Sequence, residues 1–267
     1  MDLGIRQAVV AMLLPLGLAA VADASEFAGN IAVHGTSPAR AEQIRAAAEQ
    51  VRSAAFKMLL GEEAPRRWIA RCAIHVHATP AIFTAAVGMP PTGARGATSI
   101  DFSGAGVSSR RIDVMGDGPD VIPDALSHEL VHVVLADHFV AAPPPRWADE
   151  GIALLFDGTE KQLGHEDDFR LAQRHGFSFT SADLVALEEY PADARRQRVF
   201  YGQSAALVRW LIARRDAATF IRFVDDIAAD GLTTSLKRHY ELDSIAFLDS
   251  AWKEVPPIHT LSLSNRK

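Results

Sequence analysis

The stretch His128–His138, HELVHVVLADH, carries two histidines and a glutamate within five residues. Each residue of an α-helix turns 100° and rises about 1.5 Å, so His128 and His132 lie about 40° and 6 Å apart on one face. Two imidazoles in that arrangement can bind one zinc ion (Zn2+). Glu129 is displaced from the two ligands and can act as a general base on a water activated by the metal. The surrounding residues are apolar, and metal binding gives three polar side chains a reason to lie among them.

A zinc site of this kind needs a third protein ligand, and His138 is one candidate. It follows His128 by ten residues, as in the three-histidine pattern HExxHxxGxxH, but Leu135 stands where that pattern has glycine. Leucine disfavours the left-handed turn that glycine permits. In a continuous helix, His138 lies about 9 Å beyond His132, out of reach of the same ion. An exposed or helix-terminal histidine, whose charge would suit the helix dipole, is therefore the favoured interpretation of His138.

Glu150, within the stretch Arg146–Ala153 (RWADEGIA), is the preferred third ligand. The prolines at 143–145 end the first helix and its loop, so a second helix can begin near Arg146 and return beside the first. A glutamate early on that helix can face the two imidazoles. Gly151, which follows it, would allow the backbones of these two helices to approach closely.

Four other polar residues have weaker patterns. Asp149 and Asp157 are interpreted as solvated acids, although either could support a metal ligand by a hydrogen bond. His75 and His77 share one face of a predicted strand, which is compatible with a second metal site but favours a solvent-facing pair. Cys72 lies on the same strand and is the only cysteine, so a buried structural thiol is expected.

The pattern along the chain predicts an α+β fold. We expect a helix from Ser37 to about Leu60, capped by Ser37 and ended by Gly61. Strands are expected at 68–77, 97–102 and 111–115, followed by a helix at 122–137. Almost everything after Trp147 has helical spacing, with helices expected at 201–213, 217–227, 232–240 and 243–253.

Composition and the N-terminus bear on where the protein acts. The chain has 267 residues and a net charge of −6 without a long basic run, which disfavours a nucleic-acid partner. Gln7–Ala22 is almost wholly apolar, and Ala22 and Ala24 are small residues at the positions that a signal peptidase recognises. We predict a signal peptide at 1–24, no stable membrane span after its cleavage, and an exported protein in the periplasm or secreted.

The segments HELVH and PRWADEGIA together resemble the gluzincin metallopeptidases of the MA clan, in particular the bacterial peptidase MA-like families. Those proteins carry HExxH, a short loop, a tryptophan and a Glu-Gly-hydrophobic-Ala signature. Phe200–Ser204 (FYGQS) is similar to a Tyr-x-x-Ser element of the same group. The resemblance spans roughly Ala97 to Trp252. A Gly-x-Met-Glu-Asn segment, typical of the aminopeptidase branch, is absent from the sequence.

The resemblance implies a zincin-like fold: a small mixed-sheet lobe at 25–140 and a helical lobe at 141–267, with the zinc helix at their junction. It also implies His128, His132 and Glu150 as ligands and Glu129 as general base. Tyr201 is our candidate for stabilising the oxyanion, ahead of His175 and His239.

Three functions are compatible with these residues. The first is a zinc-dependent peptidase acting on a peptide or protein, whose extended substrate would pair with a sheet edge at 100–102 or 112–115. The second is a catalytically idle zincin fold that binds a peptide or partner. The third is a three-histidine zinc enzyme, which the residue at position 135 disfavours.

Overall fold

The computed structural model of the chain describes residues 29–65, 67–88, 94–104, 106–116, 118 and 122–251. The predicted signal peptide at 1–24 lies outside the described residues. The described part is mixed α+β, as expected, with a small four-stranded sheet and ten α-helices. None of these helices has both the length and the apolar character needed to cross a membrane.

The bounds of the elements are as follows. The strands are β1 (Ile31–His34), β2 (Cys72–His77), β3 (Gly96–Ser103) and β4 (Gly106–Met115). The helices are α1 (Pro38–Ala55), α2 (Pro80–Val87), α3 (Leu126–His138), α4 (Arg146–Ala153), α5 (Thr159–Arg174), α6 (Ser181–Val185), α7 (Ala194–Arg214), α8 (Ala217–Asp230), α9 (Leu232–Tyr240) and α10 (Leu248–Ala251).

The chain divides into two compact units. The first contains the described residues of 29–49 and 65–126, and the second contains those of 50–64 and 127–251. The division between them therefore comes at the beginning of α3, whereas the sequence analysis placed a boundary at residue 140. Side chains of α3 form ion pairs with carboxylates of α4 and α8, which ties α3 to the helices that follow it.

The sheet belongs to the first unit and has the strand order β1-β2-β4-β3. The pairs β1–β2 and β2–β4 are parallel, and β3–β4 is antiparallel. One face is buried by apolar side chains from three strands, among them Ile31, Ile74 and Ile112. Of the two segments considered as a sheet edge, 112–115 is wrong because β4 pairs on both sides, while 100–102 lies on β3, an edge strand.

Several local predictions are confirmed. The backbone N–H of Arg40 donates to the Ser37 hydroxyl at the start of α1. After α1, a π-helical turn runs from Phe56 to Leu60, and Gly61 ends it with φ of 68°. The strands expected at 97–102 and 111–115 lie within β3 and β4, and α4 starts at Arg146 as expected.

Other boundaries differ from the prediction. The expected strand at 68–77 begins only at Cys72, because the Trp68 backbone N–H donates to the side chain of Asn30 and not to a neighbouring strand. The helix expected from residue 122 begins at Leu126, whose N–H closes a turn on the carbonyl of Pro123. The last helix is shorter than expected within the described residues, a 3₁₀ turn followed by α10.

The core of the second unit positions α4. Trp147 is buried against the rings of Phe220 and Phe223 on α8. On its other side, Gly151 approaches α7 so closely that an added Cβ would lie 2.7 Å from the Ser204 carbonyl oxygen and 2.5 Å from Val208. The close helix approach at Gly151 is therefore made with α7, whereas the sequence analysis expected it with α3. Because these contacts fix α4 from two sides, they also fix the carboxylate that it carries.

Candidate metal centre

Three predicted metal ligands meet in the second unit. Ligand atoms of His128, His132 and Glu150 all lie within 4.8 Å of one another. Glu150 Oε2 is 3.3 Å from His128 Nε2 and 3.9 Å from His132 Nε2. The three side chains are only 11%, 14% and 5% exposed, so the group is largely shielded from solvent.

The geometry and hydrogen bonding of this group fit a divalent cation. Two atoms that bind the same tetrahedral zinc ion lie roughly 3.3–3.5 Å apart. The distance of 3.3 Å between Glu150 Oε2 and His128 Nε2 is close to this separation. Oε2 of Glu150 is buried and has no hydrogen-bond partner among the described residues. A buried carboxylate oxygen without a partner is unfavourable. A cation bound between the two imidazoles would satisfy it.

Two further carboxylates support the imidazoles from the side opposite to Glu150. His132 Nδ1 lies 3.0 Å from Asp149 Oδ1, and His128 Nδ1 lies 3.4 Å from Asp157 Oδ2. The hydrogen bond to Asp149 selects the His132 tautomer that leaves Nε2 free to bind a metal and makes that ring more basic, whereas His128 Nδ1 and Asp157 Oδ2 lie close together without a hydrogen bond. The expectation that both acids are solvated is wrong for Asp157, whose side chain is fully buried, and Asp149 is only one-third exposed.

The charges of this cluster are strongly coupled. Burial alone lowers the pKa of His128, but the carboxylates of Asp157 and Glu150 outweigh it and raise the pKa to about 9. Burial likewise lowers the pKa of His132, yet Asp149, Glu150 and Glu129 raise it to about 10. Burial raises the pKa of Glu150, whereas the two imidazoles lower it to about 2. The carboxylates thus create a negative environment in which a cation is favourable, whether a proton or a metal ion.

Tyr190 is a member of the site that sequence reasoning missed. Its hydroxyl donates a hydrogen bond to Glu150 Oε1. Burial and the nearby Glu150 raise the pKa of the Tyr190 phenol, so the phenol stays protonated. Tyr190 lies in the loop between α6 and α7, forty residues after its partner, and no periodic pattern connects the two positions.

The two predicted catalytic residues lie in the same unit as the ligands. Glu129 is buried on α3, and its charge acts on both His132 and Tyr201. Tyr201 lies on α7 with its ring 6.1 Å from that of Tyr190. Burial, followed by the charges of Glu150 and Glu129, raises the pKa of the Tyr201 phenol. Its role remains a prediction.

His165 on α5 is a second residue near the site that the sequence did not indicate. Its ring lies 5.7 Å from that of Tyr201. Burial lowers the pKa of His165, although Asp157 opposes this effect. Neither ring nitrogen has a hydrogen-bond partner among the described residues.

The remaining candidate histidines of the second unit contact residues outside the group of potential metal ligands. His138 is the last residue of α3, which continues through Leu135, and its Nε2 is 2.9 Å from Asp225 Oδ2. The predicted helix-terminal role of His138 is therefore confirmed. His239 pairs with Asp226, and His175 stacks near Phe177.

The histidine pair of the first unit differs from the expectation that both residues face solvent. His77 is buried, and its Nε2 is 2.7 Å from Asp113 Oδ1. His75 is half-buried and stacks on His34. Within the described residues, the group of potential metal ligands comprises His128, His132 and Glu150 and does not include this pair. Cys72, the only cysteine of the sequence, is buried, as predicted.

A comparison of the chain with protein-family models and with well-characterised proteins finds no match.

Proposed function

We propose that the protein is a zinc-dependent peptidase of the gluzincin type with a zincin-like fold. The observation that carries this proposal is the convergence, in a shielded group, of two imidazole nitrogens and one carboxylate oxygen that has no hydrogen-bond partner among the described residues. Carboxylates behind both imidazoles are the usual arrangement around protein-bound zinc. The nitrogen-rich ligand set also favours zinc over magnesium or calcium, which prefer oxygen ligands.

In this proposal, the ligands are His128, His132 and Glu150, and three protein ligands leave one coordination position for water or substrate. When bound, zinc would polarise a carbonyl group and make water acidic enough to act as a nucleophile near neutral pH. Glu129 follows the first ligand on α3 and accepts the proton from the attacking water. The protonated Glu129 then acts as a general acid and donates this proton to the leaving amine.

Tyr201 is proposed to hydrogen-bond the oxyanion that forms when water attacks the peptide carbonyl. Its raised pKa keeps the phenol neutral and able to donate. For the substrate, we propose an extended peptide or protein segment. With the apolar N-terminal segment, these residues fit an exported enzyme in the periplasm or outside the cell.

The alternative function is a catalytically idle zincin fold that binds a peptide or a partner. Glu129 weighs against this alternative, because a protein that only binds has no need of a general base beside the metal ligands.

The decisive test is Glu129→Gln, which preserves the shape of the side chain and removes its basicity. We expect the zinc-loaded wild type to cleave members of a peptide library, and the variant to bind zinc equally but to lose cleavage by at least about 100-fold. Chelator should abolish cleavage by the wild type, and zinc should restore it. A zinc-loaded wild type that cleaves nothing in the library would support the binding function instead.

A further inference from the structure

Glu150 presents its two oxygen atoms to different partners. Oε1 accepts the hydrogen bond from the Tyr190 hydroxyl, while Oε2 faces both imidazoles and has no hydrogen-bond partner among the described residues. We infer that Tyr190 is a positioning residue that makes Glu150 a ligand through one oxygen only. This inference rests on the proposed metal site and concerns how that site keeps a position open.

The chemical reason lies in the denticity of carboxylates. A carboxylate can bind a cation through one oxygen or through both. Through one oxygen, Glu150 completes a set of three protein ligand atoms and leaves the fourth tetrahedral position for a reactant. Through both, it would supply a fourth protein atom and crowd that position. A phenol that donates to Oε1 opposes the rotation that would bring this oxygen to the metal.

The same helix that carries Glu150 also holds Tyr190 in place. Arg146 begins α4, one helical turn before Glu150, and its guanidinium lies over the Tyr190 ring at 4.3 Å. Arg146 Nε also donates to the carbonyl oxygen of Glu188 at 2.7 Å. Because Arg146 and Glu150 are four residues apart, they lie on one face of the helix. Tyr190 therefore contacts that face at two points.

Aromatic neighbours hold the other side of the Tyr190 ring. The ring of Phe200 meets it edge-on at 6.0 Å, and the ring of Tyr201 lies 6.1 Å away. Phe200 is fully buried on α7, so packing holds its ring in place against Tyr190. Tyr190 is nevertheless 39% exposed as a residue. Its ring can therefore be altered without opening the core of the unit.

The test is Tyr190→Phe, which removes one hydroxyl and leaves the ring contacts. Cobalt(II) replaces zinc as a spectroscopic probe, because its visible bands are intense in four-coordinate sites and weaker in five-coordinate ones. We expect the wild type to give a four-coordinate spectrum and the variant to lose band intensity as Glu150 binds through both oxygens. Zinc affinity, measured by competition with a chromophoric chelator, should fall by about ten-fold because the ligand is less well oriented.

Tyr240→Phe is the matched control, since it removes one hydroxyl from a buried tyrosine that packs against Phe223. Arg146→Lys is a second variant: it keeps the charge but loses the flat contact with the ring, and should change the cobalt spectrum in the same direction by a smaller amount. A Tyr190→Phe spectrum identical to the wild type, or the same change in the Tyr240→Phe control, would overturn the inference. A wild type that binds neither zinc nor cobalt would instead overturn the proposed metal site.

Discussion

Each unit of the molecule contains buried histidine and acidic side chains, but the two clusters are paired differently. In the first unit, Asp113 accepts from His77 and from two nitrogens of Arg111, so both of its oxygens have partners within the protein. In the second unit, Glu150 Oε2 has no hydrogen-bond partner among the described residues and faces two imidazole nitrogens at 3.3 and 3.9 Å. The first carboxylate is held by hydrogen bonds within the protein, whereas the second lies in a negative environment that favours a cation, whether a proton or a metal ion.

This difference separates a structural ion pair from a candidate metal site better than residue composition does. Both clusters contain histidine and carboxylate, and both lie largely out of solvent. Only in the second do ligand atoms from three side chains converge within 4.8 Å among the described residues. The nitrogens of those imidazoles that face away from the group lie near carboxylates, which directs the remaining lone pairs inward.

The largest expected effect is the loss of metal binding when one convergent ligand is removed. His128→Ala leaves two protein ligands, and we expect zinc affinity to fall by more than the roughly 100-fold that loss of a supporting hydrogen bond can cause. His77→Ala removes a buried imidazole from the cluster of the first unit and should leave zinc affinity unchanged. Equilibrium dialysis followed by metal analysis measures both variants. An equal loss of zinc affinity in both variants would show that the two clusters do not differ in metal binding.

The next effect concerns the backbone that holds Glu150 in the second cluster. Gly151→Ala places a Cβ 2.7 Å from the Ser204 carbonyl oxygen and 2.5 Å from Val208, so α4 must move from α7. We expect unfolding free energy to fall by about 3 kcal/mol, the upper end for overpacking, together with weaker zinc binding. Urea unfolding and zinc competition measure the two effects.

Gly164→Ala is the control for that substitution. An added Cβ there meets nothing within 4 Å, and Gly164 lies inside α5. Alanine has a better helix propensity, so this variant should be more stable by about 0.5–1 kcal/mol and should bind zinc normally. If Gly151→Ala were as stable as Gly164→Ala, the contact between α4 and α7 would not be positioning Glu150.

The parts of the site that the sequence predicted are those that a single helix determines. His128, Glu129 and His132 follow from helical spacing, and Glu150 follows from a helix start after a proline run. Asp157 was ranked below its actual importance, as a solvated acid that could at most support a ligand, because α4 ends at Ala153 and the chain then turns so that the Asp157 backbone is extended. Its side chain direction depends on that turn and not on periodicity.

The parts of the fold that were missed have short or ambiguous patterns. The four residues of β1 form a strand because they pair in parallel with β2, a contact between residues about forty positions apart. Helix α2 has few polar residues to show an amphipathic period, and its start depends on the Thr79 side chain, which accepts from the Ile82 N–H. Long-range pairing and local capping decided these elements, whereas α7, α8 and α9 had enough length for the helical period to be visible.

A smaller effect, on the free energy of unfolding, is expected from the cluster of His77, Asp113 and Arg111 in the first unit, and its size depends on pH. Burial raises the pKa of Asp113, but Arg111 and His77 outweigh it, and the pKa lies below its ordinary value of 3.8. A carboxylate with a lowered folded-state pKa stabilises the protein above its unfolded pKa, and that contribution disappears as pH falls through the folded value. We expect Asp113→Asn to lose about 1–2 kcal/mol at pH 7.

The pH dependence of that loss is the sharper measurement. The difference in unfolding free energy between wild type and Asp113→Asn, obtained from urea unfolding, should stay constant from pH 7 to pH 5. It should shrink as pH falls below 3.8, where the carboxylate of the unfolded chain becomes protonated first, and it should disappear below the lowered pKa of the folded state. A difference in unfolding free energy that stays constant down to pH 3 would show that packing, and not the charge of Asp113, stabilises this cluster.

The smallest effect is expected at His138, and it tests which third ligand belongs to the second cluster. His138 Nε2 pairs with Asp225 at the end of α3, and both side chains are about one-third exposed. A partly exposed pair of this kind contributes less than about 1 kcal/mol, even with the favourable helix dipole. His138→Ala should therefore bind zinc like the wild type, while Glu150→Ala should not. The reverse result would move the third ligand to His138, and α3 would then have to unwind near Leu135 to bring that imidazole to the metal.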